Sequence, residues 1–342
     1  MSVFRVGIIG CGRPWKSEGA TGFGMSNYHA HGYTASPDAA IVALADLNLD
    51  NARAFQAVHG GEQIYTNYRE MLAKERLDIV SISTWPHLHA PMVIAAAEAG
   101  VRAIHCEKPM APSYADALRM VEACEAHGAQ LTFNHQRRFA APFIAARDLL
   151  RSGAIGELQR LEGTCDNLFD WGTHWFDMFG FYNGESPASW VIGQVDWRDG
   201  ATIFGVTVEG QAISHFAYAN GVQGLLLTGR GATPRLGNRL IGSEGVIELA
   251  LGTGVVRVRG RGDAAWREVA VPQDEGASLG EVVGRGVLDL IDALKTGREP
   301  ELAGRRALRA SELIFGTYES ARRGGRIDLP LEPLDSPFPS AA

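Results

Sequence analysis

A chain of 342 residues, 46% hydrophobic and 21% charged, has room for about two domains with real cores and is too apolar for intrinsic disorder. Its formal net charge of −7, with acidic and basic residues interleaved, makes neither nucleic acid nor an anionic membrane an obvious partner. No apolar run reaches the roughly 18–20 residues of a membrane span. The start, Met1 to Arg5, lacks the layout of a secretory signal, and Cys11, Cys106, Cys124 and Cys165 form no CxxC pair, so reduced thiols in a cytoplasm are expected.

Short apolar runs at Val3–Ile9, Ala40–Ala45, Asp78–Ser83, Val101–Cys106 and Ala129–Phe133 read as buried strands. Between them lie a helical stretch from Leu88 to Ala99, stopped by Gly100, and another from Ser113 to His127. Ser113 can cap the second, and Gly128 ends it. This alternation predicts a doubly wound parallel sheet, an α/β domain over residues 1–133. Beyond it, a helix at Pro142–Arg151 precedes strand-like segments at 157–165, 188–196, 201–208, 211–219 and 222–228, with more between 239 and 270. Few helices intervene, so 134–342 is expected to hold a large open, mostly antiparallel sheet, an α+β domain. Helices at 286–296 and 304–323 follow, and the tail from Leu329 to Ala342 reads as irregular.

Gly7-Ile8-Ile9-Gly10-Cys11-Gly12 lies where the first strand ends, and a GxGxxG there would bring backbone N–H groups up to a pyrophosphate. The fingerprint is incomplete: Trp15 stands at its third glycine, and the segment from Arg13 to Asn27 is long. A glycine-rich turn after any strand would look similar. Asp46 ends the second strand, where a carboxylate can accept both ribose hydroxyls and repel a 2′-phosphate, favouring NAD over NADP. Its alternative role is to cap the next helix.

Only four of the 32 basic residues are lysines, and Lys108 stands directly after a buried strand in Glu107-Lys108-Pro109. The carboxyl ends of strands are where open α/β sheets place ligands, and a lysine there can hydrogen-bond a substrate hydroxyl; the plainer reading is a solvated turn lysine. In Asp170-Trp171-Gly172-Thr173-His174-Trp175-Phe176-Asp177, a helical turn would put 170, 174 and 177 on one face. His174 suits proton abstraction at neutral pH with a carboxylate to orient it, or it is a satisfied core histidine. The histidine pairs 29/31 and 87/89, and His105 beside Cys106 and Glu107, lack a second cluster at zinc spacing, so no metal is expected.

Together these residues resemble the Gfo/Idh/MocA family of glucose–fructose oxidoreductase and inositol dehydrogenase relatives. The similarity runs through Gly10-Cys11-Gly12, Asp46, Ser83 to His89, Glu107-Lys108-Pro109, Arg138-Phe139, Asp170-x-Gly172-x-His174-x-x-Asp177, Gly242 to Gly245 and Leu294 to Pro300. It implies a Rossmann domain binding NAD(P) and a second domain whose open sheet mediates homodimers or homotetramers. It implies catalysis by Lys108, Asp170 and His174. The cofactor would be held by Gly10, Gly12, Arg13, Asp46, Ser83, Thr84, Trp85, His89, Glu107 and Lys108. A carbohydrate or cyclitol substrate would meet Asn134, His135, Arg138, Asn167 and Trp171.

Three departures stand out: the insertion between Arg13 and Asn27, Trp85-Pro86 in place of the usual Pro-Asn, and a short stretch from Gly156 to Asp170 that should open the substrate cleft. Phe169, Trp171, Trp175 and Phe176 could then offer stacking faces to a sugar ring, or form core. The expected activity is NAD-dependent oxidation of a secondary hydroxyl of a sugar, sugar derivative or cyclitol. The alternative is glycoside cleavage through a transient keto-sugar with recycled NAD, which His87, His135, Gln136, Arg137, Asp166 and Asn167 would suit. A non-catalytic sugar or NAD sensor is disfavoured by retention of the full candidate set.

Overall fold

A computed structural model describes residues 3–233, 236–250, 254–271 and 278–338. The chain begins β1 (Phe4–Ile9), α1 (Met25–Ala35), β2 (Ala39–Ala45), α2 (Leu49–His59), β3 (Gln63–Tyr65), α3 (Tyr68–Lys74), β4 (Ile79–Ile82), α4 (Pro86–Glu98), β5 (Ala103–Cys106), α5 (Tyr114–Ala126) and β6 (Gln130–Phe133). Next come α6 (Ala141–Arg151), β7 (Leu158–Cys165), α7 (Thr173–Tyr182), β8 (Ala188–Asp196), β9 (Ala201–Ile203), β10 (Val206–Val208), β11 (Gln211–Tyr218) and β12 (Gln223–Thr228). β13 (Leu236–Gly242), β14 (Gly245–Ala250), β15 (Val256–Gly260), β16 (Arg267–Val269), α8 (Leu279–Thr296), α9 (Gly304–Arg323) and β17 (Ile327–Asp328) complete it. Among the described residues no helix is long and apolar enough to cross a membrane.

Two compact units result. The described part of the first comprises 3–112, 116–139 and 278–307. Its six strands form one parallel sheet in the order β3-β2-β1-β4-β5-β6, so the winding reverses between β1 and β4. β4 and β5 are buried at every residue, which is why they read as unbroken apolar runs rather than alternating ones. The second unit holds a nine-stranded sheet, β16-β15-β14-β13-β7-β12-β11-β8-β17. One face carries its core: Ala212, Ser214 and Phe216 on β11 and Leu226 on β12 are buried, whereas the alternate residues Ile213, His215, Leu225 and Leu227 are only half-buried. β7 and β12 pair in parallel within this otherwise antiparallel sheet, in keeping with the mostly antiparallel order expected.

Differences from the sequence reading have local causes. The strand expected over 201–208 is a hairpin, β9 against β10, forming its own two-stranded sheet. Its turn is Phe204 (φ 51°) and Gly205 (φ 79°), two consecutive left-handed residues of the kind a two-residue hairpin demands. The helix expected from 286 begins at Leu279, because Ser278 and Glu281 form a capping box, with the Glu281 N–H on Ser278 Oγ and the Ser278 N–H on Glu281 Oε2. Residues 329–338 are irregular, and 339–342 lie outside the described residues.

The boundary expected at 133/134 differs more instructively: 134–139 and the distant 278–307 both belong to the first unit. Val287, Leu290 and Ile291 of α8 share a core with Val6, Ile8 and Tyr33. The helices approach closely at Gly32 of α1, where an added Cβ would lie 2.4 Å from Val287 Cβ and 2.7 Å from the Gly284 carbonyl oxygen. Neither position gives way without moving backbone. Gly32→Ala is therefore expected to destabilise the protein by about 1–3 kcal/mol in urea unfolding. Unchanged stability would mean that α8 does not pack on α1 in this way.

Candidate active site

The strand ends of the first unit's sheet are laddered one residue further than the strands themselves. The Asp46 N–H donates to Tyr65 O (3.1 Å), Gly10 to Ala45 O (2.8 Å), Ser83 to Ile9 O, Glu107 to Ile82 O and Asn134 to Cys106 O (each 2.9 Å). Five residues singled out in the sequence thus form a row along the carboxyl edge. Gly10 has φ 82°, and a Cβ there would meet Ser83 O at 2.7 Å, so only glycine fits and the backbone is left bare beside the row. Asp46 Oδ2 accepts the Gly12 N–H at 3.1 Å and Oδ1 the Asn48 N–H at 2.8 Å. The cap of α2 is Asn48, which accepts from the Asp50 N–H, so capping is not what Asp46 does.

The insertion leaves Gly12 and returns at Gly24, φ 60°, immediately before α1. Its ends touch, with a Cβ at Gly24 falling on Arg13 O, and Ser26 Oγ donates to Cys11 O across the base. Arg13 donates through Nε to Asn51 Oδ1 at 2.9 Å, beside the start of α2. Trp15 and Phe23 stack with centroids 4.5 Å apart, and each is about half exposed.

Further along the row, Glu107 is 5% exposed, and its carboxylate is met from several elements. His29 Nε2 on α1 lies 2.8 Å from Oε1, Asn134 Nδ2 donates to the same oxygen at 2.7 Å, and the Lys108 N–H donates to Oε2 at 3.2 Å. Burial alone would push the Glu107 carboxyl up; His29, the Asn134 donor and the Lys108 charge reverse this and hold it below the usual carboxylate value. His89 is fully buried, with Nδ1 against the Pro109 and Met110 carbonyls (3.0 and 3.1 Å) and Nε2 against Thr84 O (3.0 Å). It clamps Thr84 to the Lys108–Pro109 turn and has no exposed edge to offer a cofactor.

In the second unit the Asp170–Asp177 segment is not a plain helix. Residues Leu168–Gly172 form one wide π turn, in which the Gly172 N–H reaches back five residues to Asn167 O at 2.8 Å. α7 follows. Turns of this type add a residue and cluster at functional sites. The one-face spacing therefore applies to His174 and Asp177, both buried within α7, while Asp170 sits in the wide turn and is only partly buried. Asn167 is buried at the start of this turn, and its Oδ1 accepts the Asp170 N–H at 2.7 Å. Trp171, 36% exposed, lies edge-on to His174 with centroids 6.4 Å apart. Phe169, Trp175 and Phe176 are core residues, so Trp171 alone of the four offers a stacking face.

Of the remaining expected residues, Asn134 and His135 are buried just past β6, and Trp85 is 50% exposed with its ring edge-on to His87. Arg138 is 2% exposed and its guanidinium lies 2.9 Å from Glu301, which turns its charge inward. Lys108 belongs to the first unit and Asp170 and His174 to the second. Two residues not singled out for the site emerge from the contacts. One is His29, which the sequence shows only as half of a histidine pair. The other is Glu209, whose Oε1 accepts the Leu168 N–H at 2.7 Å and the Thr228 hydroxyl at 2.9 Å, while Oε2 accepts the Tyr318 hydroxyl at 2.6 Å.

Residues 4–135 match a family model for an oxidoreductase family with an NAD-binding Rossmann fold. The chain is 29% identical to a D-apiose dehydrogenase of Paraburkholderia graminis over 95% of its own length and 90% of that protein's. It is 35% identical, over 35% of each chain, to an inositol 2-dehydrogenase/D-chiro-inositol 3-dehydrogenase of Shouchella clausii. Levoglucosan dehydrogenase in complex with NADH superposes at a TM-score of 0.81 and 22% identity, covering 96% of this chain and 100% of the other. An Agrobacterium radiobacter oxidoreductase in complex with NAD+, L-tartaric acid and magnesium does so at 0.79 and 23%, covering 96% and 98%. At those identities the two structures speak to the fold alone.

Glu209 anchors the entry to the wide turn, and burial pushes its carboxyl up against the pull of its donors. A carboxyl raised in the folded state binds more protons there than in the unfolded chain, so its ionisation costs stability as pH rises above the unfolded value of about 4. Glu209→Gln is expected to remove that cost. The stability of the wild type relative to the variant should fall as pH rises above the unfolded value of about 4 in thermal unfolding. A pH-independent difference would show that Glu209 is not the titrating group.

Proposed function

We propose that the chain, which belongs to the Gfo/Idh/MocA oxidoreductase family and is an NAD-binding oxidoreductase, oxidises a secondary hydroxyl of a sugar, sugar derivative or cyclitol. The observation that carries this reading is the row of strand ends, with a bare glycine turn and Asp46 at one part and the fixed Glu107–Lys108 turn at another. The residues fit NAD. Gly10 and Gly12 let the backbone approach a pyrophosphate, and Asp46 suits ribose hydroxyls while opposing a 2′-phosphate. Arg13, Ser83, Thr84 and Trp85 line the same edge.

NAD supplies the hydride acceptor. In our reading His174 takes the hydroxyl proton as the carbon loses its hydride, and Lys108 donates a hydrogen bond to the oxygen on which charge develops. Asp170 orients the substrate or His174. Asn134, His135 and Trp171 contact the sugar. Support for the substrate class comes from the apiose and inositol dehydrogenases above. We further infer a homodimer through the outer face of the nine-stranded sheet. There Ile192 is 44% exposed beside half-buried Ile213, Leu225 and Leu227.

The decisive assay incubates purified protein with NAD and a panel of sugars, cyclitols and glycosides, following NADH absorbance and product mass together. Stoichiometric NADH with a product two hydrogens lighter is expected, with His174→Ala and Lys108→Ala each losing about 10²-fold or more in kcat. Full activity in both variants would sink the reading. Glycoside cleavage with little NADH would replace it with oxidation, elimination and return of the hydride. For the assembly, light scattering is expected to give twice the chain mass, and Leu225→Arg half of that; a monomeric wild type would discard the dimer.

A further inference from the structure

Among the described residues Glu107 is the one buried carboxylate of the first unit, and two other elements reach it, with Ser81 standing behind one of them. His29 comes from α1, Ser81 from β4, Glu107 itself follows β5, and Asn134 follows β6. A carboxylate only accepts hydrogen bonds, so the 2.8 Å contact places a proton on His29 Nε2. His29 Nδ1 then faces Ser81 Oγ at 2.7 Å and Ser83 Oγ at 3.4 Å. His29 is wholly buried, so both its nitrogens are held in one arrangement and its ring has no approach to solvent.

Each neighbouring group is already committed in a way that leaves His29 this role. His105 packs against the His29 ring with centroids 4.5 Å apart. Thr132 gives its hydroxyl proton to Ile104 O at 3.2 Å, so it accepts from His105 Nδ1 at 2.9 Å, and His105 Nε2 is left a buried acceptor with no partner. Burial, and His29 beside it, hold His105 well below the usual imidazole value, so it stays neutral. His89 is spent on three carbonyls, and Cys106 is buried with its thiol pushed up by burial and then by Glu107. The remaining charge that bears on Glu107 is Lys108. The Asn134 amide, with Nδ2 on Glu107, leaves its Oδ1 buried and without a partner.

We propose that His29 is a positioning residue for Lys108. By donating to Glu107 Oε1 it holds that carboxylate in place with Oε2 on the Lys108 backbone N–H, and so fixes the turn that presents the lysine. The Ser81 hydroxyl, at Nδ1, holds the imidazole in place. His29 touches neither substrate nor cofactor; its effect passes through Glu107. This deepens the reading given above, because it assumes that Lys108 acts in the reaction.

The test compares wild type with His29→Leu, which removes the donor, His29→Gln, which returns one to Glu107, and Ser81→Ala, which only loosens the ring. The first readout needs no turnover. In the wild type the Glu107 carboxyl is depressed on folding, so its stabilisation is present above the unfolded value of about 4 and is lost as pH falls through the folded value. In His29→Leu, burial dominates and the carboxyl rises, so the variant's deficit in thermal unfolding grows as pH rises through and above the unfolded value of about 4. The second readout is kcat against pH with the substrate found in the assay above. The acid limb of His29→Leu moves up by about one pH unit or more, KM for NAD stays within about threefold, and His29→Gln recovers most of the shift.

A uniform stability loss with an unmoved acid limb would reduce His29 to a core filler and overturn the proposal. If His29→Leu does not fold, Ser81→Ala decides: the same displacements at smaller size support the proposal, and a wild-type profile overturns it. Failure of the Lys108 reading is separately visible, since Lys108→Ala would then turn over normally while the stability slopes still decide whether His29 holds Glu107.

Discussion

A carboxylate withdrawn from water must be surrounded by donors, and in the first unit that requirement at Glu107 dictates its neighbours. His29, Asn134 and the Lys108 backbone supply the donors, from three places far apart in sequence. Once these positions are committed, the Glu107–Lys108–Pro109 turn has little freedom left. His89 removes what remains by tying the two residues after Lys108 to Thr84. The turn's rigidity is thus a by-product of solvating one buried charge. Polar groups that elsewhere would loosen a core here specify it, because His29, Asn134 and the Lys108 N–H all answer to the same carboxylate.

The second unit meets a similar requirement with Glu209, but spends it on a backbone irregularity. The wide turn at Leu168–Gly172 leaves N–H groups that an ordinary helix start would also orphan. Asn167 takes the Asp170 N–H and Glu209 takes the Leu168 N–H, so the turn is satisfied from both sides. Trp175 adds a third tether through its indole N–H to Thr164 O, 2.6 Å away on β7. In each unit, then, the segment bearing the expected catalytic side chains is held by buried polar contacts behind it.

Much of this architecture is legible in the chain itself. Strands buried on both faces print as apolar runs, and a parallel sheet leaves its functional residues just after them, which is why Gly10, Asp46, Ser83 and Glu107 can be picked out one by one. What escapes is whatever depends on a distant partner. His29 carries no local sign of Glu107, nor Arg138 of Glu301, and an arginine beside a motif reads as a ligand until its charge is seen to be taken. Phe169, Trp175 and Phe176 surround the same motif as Trp171, and composition cannot tell the three that are core from the one that is not. The hairpin at 201–208 was hidden for another reason: Phe204 occupies a left-handed position where the usual signal would be asparagine or glycine. The early start of α8 is the case where the signal existed, in Ser278 and Glu281, ahead of the apolar pattern it introduces.

The placement of α8 also bears on how the chain is made. A ribosome releases the six strands of the first sheet before residue 140, yet Val287, Leu290 and Ile291, which complete that unit's core against α1, emerge only after the nine-stranded sheet's main strands have been synthesised. Domains generally fold as units while the chain grows. Here the amino-terminal unit must wait, with the Gly32–Tyr33 side of α1 uncovered, for about half the translation time of the protein. The second unit waits longer still, because its edge strand β17 and its core residues Leu313, Phe315 and Tyr318 of α9 are made after α8. Neither unit can therefore complete its core until the carboxyl-terminal helices have emerged, and the early-made Rossmann strands must persist without α8 until then.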